Sequence, residues 1–292
     1  MKDRSERLLK YISKEKLGLE IGPYINPLAS KREGFNVKIL DVFTDEELIS
    51  RSKNDCHLNE SDTLRIEKVD FVMSAQEIGS IEELKGTCDY IISSHNLEHI
   101  PNPILFLQGC TQALKPDGII SLALPDYRCC WDRFRPLSSS ADWLDAFVSK
   151  REKPSAKQVF EQNSMHCRWH KDGKLLPTMP MDTELSELQP VQSLESAWNN
   201  FLDHSKNELG MPYIDTHCWT FTPDSFKLIL NDLRILRILD LKIIDISDAP
   251  ESEFIVHIRK EKLHDREKEL LLKQRIDFFR KIAAFYSDQI KF

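Results

Sequence analysis

The sequence predicts an α/β fold: a doubly wound, mostly parallel sheet with helices on both faces and an α-rich insertion after its fifth strand. Three observations predict it. Five short apolar-centred segments, at 17–21, 37–42, 69–73, 88–94 and 118–124, alternate with helical patterns over the first 126 residues, as strands buried on both faces of a parallel sheet do. The alternation stops after Pro125 and resumes near residue 217, which marks the insertion. Two further strand patterns, 241–246 and 253–259, lie close enough to form an antiparallel hairpin.

A short amphipathic helix, 4–12, precedes the first strand. That strand runs into the turn Gly22-Pro23-Tyr24-Ile25-Asn26, and the second strand ends on Asp41. A glycine turn followed by an acid at the next strand tip suits a nucleoside-bearing ligand, because the glycine admits close approach and the acid accepts ribose hydroxyls. Thr44 caps a helix with Asp45, Glu46 and Glu47 in its first turn. A polar surface passage occupies 51–63, and the third strand is followed by Ser74 and Ala75. A brief helix covers 81–85, and the fourth strand leads into Ser94 and His95. Helical spacing over Pro103–Leu114 ends at a Lys115-Pro116-Asp117-Gly118 turn.

Right-handed crossovers place the strand ends Gly22, Asp41, Ser74, Ser94 and Asp126 along one rim, where open α/β sheets bind ligands. The insertion, 127–216, shows few strand signals and three helical stretches, at 139–150, 155–163 and 193–208. Thr222 with Pro223 opens the helix that returns the chain to the sheet. The organisation expected is therefore a core formed by 1–126 and 217–260, an acceptor-binding insertion or lid over 127–216, and a C-terminal amphipathic helix over 261–292. Leu263, Leu270, Ile276, Phe279, Ile282 and Phe285 give that helix a face for the domain or for a second copy of the chain.

With 41% apolar and 30% charged residues among 292, the chain has the composition of a soluble globular protein. A formal charge of -7 argues against a broad nucleic-acid-binding surface. No apolar run reaches membrane-spanning length, and the charged N-terminal stretch lacks a signal-peptide core. Seven cysteines without paired C-x-x-C spacing fit reduced thiols and a cytoplasmic location.

In order along the chain, Leu19-Glu20-Ile21-Gly22-Pro23, Leu40-Asp41, Cys88–Pro103 with its Ser93-Ser94-His95-Asn96-Leu97-Glu98-His99-Ile100-Pro101 run, and Leu114-Lys115-Pro116-Asp117-Gly118 resemble the class I S-adenosylmethionine-dependent methyltransferases. The resemblance covers 15–126 and 218–260. With Pro125-Asp126-Tyr127-Arg128 and Arg133-Phe134-Arg135-Pro136-Leu137, the pattern is similar to a bacterial subgroup of type 11-like methyltransferases, some of them encountered near surface-polysaccharide genes. It implies a seven-stranded Rossmann-like sheet with its last strand antiparallel, and S-adenosyl-L-methionine as cofactor. It assigns Glu20, Gly22, Pro23 and Tyr24 to the methionine portion, Asp41 to the ribose, Ser74 and Ala75 to the adenine, and Ser94, His95 and His99 to the cofactor side of the rim. The sequence departs from the family's glycine run by keeping one glycine of three, so Tyr24 is expected to add side-chain contacts. Ser74 stands where the family often has Asp.

Methyl transfer from a sulfonium needs a dry pocket that holds the acceptor at attack distance, and an oxygen acceptor also needs a base. His217, where the insertion returns to the sheet, and Asp126, at the tip of the fifth strand, are the candidate catalytic groups. Both also have structural readings, as a hydrogen-bonding histidine and a turn cap. Arg128, Arg135, His166, His170 and Trp219 are candidate acceptor contacts, and Arg133, Trp131 and Trp143 add to a cationic and aromatic cluster. Arginine forks suit a carboxylate or phosphate and tryptophan faces suit sugar rings or cations. The arginines could equally pair with Asp132, Asp142 and Asp145. His166 and His170 would share a side if their segment is helical, and with Cys167 and His217 they have metal-ligand spacing; no nearby Glu completes a hydrolytic motif, and no metal is expected.

The function expected is therefore methyl transfer to a small polar acceptor, a sugar or nucleotide-sugar hydroxyl in polysaccharide or related biosynthesis. The rivals are a phosphorylated or carboxylated metabolite with an O or N acceptor, and a catalytically silent methyltransferase-like partner subunit.

Overall fold

The computed structural model describes residues 4–176, 179–206, 213–247 and 252–289. Seven strands form the main sheet: β1 (Gly18–Ile21), β2 (Val37–Asp41), β3 (Phe71–Val72), β4 (Cys88–Ser94), β5 (Leu114–Pro125), β9 (Leu241–Ser247) and β10 (Glu253–Lys260). Their order is β3-β2-β1-β4-β5-β10-β9, with β10 antiparallel to both neighbours and the remaining pairs parallel. β1 is buried at every position and β4 at all but its second and last, as expected of strands covered on both faces. Gly18 is required where β1 crosses Tyr90: a Cβ there would come within 2.0 Å of the tyrosine ring.

Several expected elements differ in extent. The third strand shrinks to two edge residues, because Ile66 and Val69 turn inward to pack with Ile39 and Leu48. The expected turn at 115–118 is absorbed into β5 as an irregularity opposite Cys88 and Tyr90, with Asp117 at φ +62°. Helix ends follow their caps: Thr44 and Glu47 close a capping box at the start of α2 (Asp45–Asn54), followed by the short α3 (Glu60–Thr63). Asn102 caps α4 (Pro103–Ala113), and Thr222 pairs with Ser225 at the start of α8 (Pro223–Ile235). The N-terminal helix, α1, is limited to Arg4–Leu8.

After β5 the chain leaves the sheet and returns at Phe221, which bridges Asp126 in parallel. Between these points lie α5 (Ser140–Val148), α6 (Ala156–Met165) and α7 (Leu194–Lys206). They are joined by a three-stranded antiparallel sheet that the α-rich expectation omits: β6 (Cys167–Lys171), β7 (Lys174–Leu176) and β8 (Leu188–Pro190), in the order β7-β6-β8. The strands are short and carry charged residues, so their alternation is weak. The Asp172-Gly173 pair with positive φ is the local hairpin signal.

The long helix α9 (Asp265–Gln289) lies against α8. Leu271 is buried, Arg234 reaches Glu267 at 2.7 Å and Arg275 reaches Asp232 at 2.7 Å. Of the expected packing face, Leu263 is buried, whereas Leu270, Ile276 and Phe279 are exposed on the single chain. None of the helices among the described residues is long and apolar enough to cross a membrane.

Candidate active site

Two adjoining cavities open on the strand-end rim, and His95 lines both. The first, about 510 Å³, is lined by Glu20, Ile21, Gly22, Pro23, Asn26, Ser94, His95, Arg4 and Glu253. Gly22 adopts φ +59°, a conformation that favours glycine, and its N–H donates to Leu40 O at 2.9 Å. Glu20 accepts from the Leu28 and Ala29 N–H groups at 2.7 and 3.0 Å, which folds the loop back over β1. Burial raises its carboxyl to about 7 against those two donors. Arg4 grips Glu253 at 2.7 and 2.9 Å and donates to Ser94 Oγ at 2.7 Å. His95, at φ +50°, places Nε2 2.7 Å from the same glutamate. Desolvation lowers the affinity of His95 for its proton, but Glu253 and Glu98 prevail and raise it to about 9.

The second cavity, about 850 Å³, combines Val42, Phe43, Ala75, Ile100 and Pro101 with the polar Ser74, Gln76, Asn96, His99 and Asp215. Ser74 caps the turn that follows β3, accepting from Gln76 N–H at 3.4 Å. Asp41 is buried at the tip of β2 and lines neither cavity; it accepts from Phe43 N–H at 3.0 Å, and burial raises its carboxyl above the usual range.

Beside this cavity the returning chain brings His217 onto His99, ring centroids 4.6 Å apart and edge to face. His217 Nδ1 lies 2.7 Å from Asp132 Oδ2, and Arg135 donates to Asp132 Oδ1 at 2.8 Å. Burial opposes ionisation of Asp132, yet His217 and Arg135 hold its carboxyl far below the usual range. His99 Nδ1 lies 2.8 Å from Asp215 Oδ1.

The first pocket is lined by charged groups, and the second joins an apolar patch to amide, hydroxyl and charged groups that include Arg51, Glu152 and Lys153. By sequence comparison, a family described as a methyltransferase domain matches residues 1–233. The chain belongs to this family. It is a class I S-adenosylmethionine-dependent methyltransferase, and S-adenosyl-L-methionine is its cofactor. No curated protein matches it. Among solved structures it is similar to a SAM-dependent methyltransferase from Aquifex aeolicus, with 14% identity over 88% of this chain and 89% of that one and a TM-score of 0.42. It is also similar to a putative S-adenosylmethionine-dependent methyltransferase from Listeria monocytogenes, with 13% identity over 87% and 96% and a TM-score of 0.42.

Not every expected site residue of the methyltransferase faces these cavities. Tyr24, at φ +45°, packs with Ile25 and Phe43 against the Ile39–Leu48 cluster; Asn26 lines the first cavity in its stead. Asp126 is fully buried and both its oxygens are taken by Arg128, at 2.6–3.1 Å, and neither residue lines the two cavities. Arg135 is likewise buried on Asp132, with Glu161 3.7 Å away. Trp219 is a core residue, its indole N–H on Ile100 O at 2.7 Å and its ring 6.2 Å from that of Trp143, which is equally buried. His166 ends α6 and lies 5.3 Å from the exposed Trp131 ring, whereas His170 is in the β6–β7 hairpin paired with Leu175. The segment is a strand from Cys167, so the two histidines do not share a helical face.

The residues that sequence reasoning underrates are Arg4, Glu253, Glu98, Asp132 and Asp215. Arg4 and Glu253 carry no local signal, because they meet only after the sheet closes. Glu98 and Asp215 stand directly beside His99 and within two residues of His217, and that adjacency is the signal.

Proposed function

We propose that this methyltransferase acts on a hydroxyl of a small polar acceptor, a sugar or nucleotide-sugar unit. The observation that carries the reading is the His217–Asp132 pair beside the second cavity. Asp132 fixes Nδ1, which leaves Nε2 as a lone pair for a hydroxyl proton. An amine acceptor that arrives unprotonated needs no such group. Two arginines suited to a phosphate or carboxylate are committed to Asp126 and Asp132, which weighs against the phosphorylated or carboxylated metabolite. The exposed Trp131 ring with His166 beside it is a surface that fits the face of a sugar.

In this reading Arg4, Asn26, Ser94 and His95 receive the charged amino-acid end of the cofactor, and Glu20 holds the loop around it. Asp41 takes the ribose, and Phe43, Ser74 and Ala75 take the adenine. The cofactor supplies an electrophilic methyl on a sulfonium: the S–CH3 bond breaks as the O–CH3 bond forms, and the acceptor proton leaves to His217. The chain's own contribution is to exclude water, align the acceptor and hold that proton.

Isothermal titration with S-adenosylmethionine and its demethylated product, followed by a methyl-uptake screen over sugar nucleotides, free sugars, phosphorylated metabolites and amines, tests this. Uptake by sugar hydroxyls is expected. Uptake confined to amines or to phosphorylated metabolites that lack a sugar hydroxyl overturns the acceptor assignment.

A further inference from the structure

Glu98 is 1% exposed, and neither of its side-chain oxygens has a hydrogen-bond partner among the described residues. On Oε1 it has an ion-pair contact with His95 Nδ1 at 3.5 Å, whose other nitrogen is held by Glu253 at 2.7 Å, and His99 Nε2 stands 3.8 Å away. One imidazole shared between two buried carboxylates leaves Glu98 only partly compensated, and its two oxygens without a well-formed hydrogen bond. Around it, two imidazoles are oriented alike. His217 Nδ1 is hydrogen-bonded to Asp132, and His99 Nδ1 lies 2.8 Å from Asp215 Oδ1 out of hydrogen-bond alignment; in each ring Nε2 is the nitrogen on the other side from that carboxylate. One donor atom from each of Glu98, His99 and His217 lies within 4.8 Å of the other two.

We propose that Glu98, His99 and His217 bind a divalent cation at the edge of the second cavity, with Asp132 and Asp215 as the outer carboxylates that fix the two imidazoles. Metal-ligating histidines ordinarily have their second nitrogen on a carboxylate in this way. Two imidazoles and one carboxylate favour Mn²⁺, Co²⁺, Fe²⁺ or Zn²⁺ over Mg²⁺ and Ca²⁺, which prefer all-oxygen shells. Bonds of about 2.1 Å bring ligand atoms to roughly 3.4 Å of one another, so the cluster closes by up to about 1.4 Å on binding. Three protein ligands leave positions open for acceptor oxygens. The site rests on the hydroxyl reading for its role in turnover and changes it at one atom: with the cation on Nε2, His217 holds the metal in place of the proton, and the metal would polarise the coordinated oxygen so that its proton leaves to solvent.

A second group of ligand-type residues, Asp55, Cys56 and His57, is exposed and serves as the control. The full chain, stripped with chelator, is titrated with Co²⁺ read by visible absorption and with Mn²⁺ read by electron paramagnetic resonance. One ion per chain is expected, and His57→Ala leaves its affinity unchanged. Glu98→Gln and His217→Ala each weaken it by more than about 100-fold, and Asp132→Asn by about 10–100-fold. A parallel titration with S-adenosylmethionine reports folding and the cofactor pocket in every variant, and His217→Ala decides the matter if Glu98→Gln does not fold. Absence of binding, affinity undiminished in His217→Ala, or loss only in His57→Ala overturns the proposal. Cofactor binding and methyl uptake without cation binding would remove the metal site and leave the methyltransferase reading intact. Cation binding without methyl uptake by any hydroxyl would do the reverse.

Discussion

On the β1–β3 side of the rim the candidate side chains are mostly fixed by neighbours in sequence, whereas beyond β4 they are fixed by segments far away along the chain. Glu20 is held by N–H groups eight and nine residues on, Asp41 by Phe43, and Ser74 by Gln76. His217, by contrast, is hydrogen-bonded to Asp132 across 85 residues, and His99 lies 2.8 Å from Asp215 on the irregular segment that returns to the sheet. The first side is a set of turns whose backbone conformation shapes the cavity. The second is an assembly of buried charges that exists only when the inserted segment has folded onto the sheet. The difference implies that the cofactor pocket can be complete while the acceptor side is not, so the two should be separable by mutation.

The largest effect expected is that of His217→Ala. Turnover should fall by about two to four orders of magnitude while the affinity for S-adenosylmethionine stays unchanged. Initial rates and calorimetric titration of the same preparation measure both. Parallel loss of affinity would show that the two sides form one unit and would break the comparison.

Glu20 tests the cofactor side by pH. Its folded-state carboxyl, raised to about 7 by burial, lies above its ordinary value, so the folded chain retains a proton that the unfolded chain releases. The stability this gives is complete below about pH 4.5 and is lost as pH rises through 7. Integrated over that window it amounts to as much as about 3 kcal/mol. Glu20→Gln should therefore flatten the decline of unfolding free energy between pH 5 and 8. A variant whose profile parallels the wild type would show that the two N–H donors keep Glu20 ionised throughout.

The same division governs how much the sequence reveals. The sheet's inner strands are legible because burial on both faces writes continuous apolar runs into 88–94 and 118–124, and the antiparallel β9–β10 pair because its connector is short; the strand order is not written locally. The Gly22 turn, the Asp41 tip and the caps at Thr44 and Thr222 are legible because cause and effect lie within a few residues. Asp126, Arg128 and Arg135 were expected to face an acceptor because charged residues at a rim ordinarily do. Their partners prove to be one another and Asp132, and nothing in local spacing distinguishes a presented arginine from one buried on a carboxylate. Trp219 and Trp143 fail for a related reason: composition identifies an aromatic cluster but not whether it is core or surface.

Asp41→Ala sharpens the comparison on the cofactor side with a smaller effect. Removal of the ribose acceptor should weaken S-adenosylmethionine binding by about 1–3 kcal/mol, with no change in the rate at saturating cofactor. A lower saturated rate would mean that the ribose contact also sets the reach of the methyl group, and hence that the two sides communicate through the cofactor.

The smallest effect belongs to the residue that does not fit the division. Arg4 lies on the cofactor side, yet it is fixed by Glu253, 249 residues away, and donates to Ser94. It stands beside a loop that keeps one glycine of the family's three, where fewer backbone N–H groups can approach a carboxylate, and its guanidinium offers charge in their place. Because Arg4 is one-third exposed, solvent screening limits its worth to about 1 kcal/mol. Arg4→Ala should therefore weaken S-adenosylmethionine by roughly fivefold, and Arg4→Lys, which keeps charge but loses the fork, should recover part of it. If Arg4→Ala binds the cofactor as tightly as the wild type, the arginine serves only to anchor α1 on β10, and the turn at Gly22 holds the amino-acid end by backbone alone.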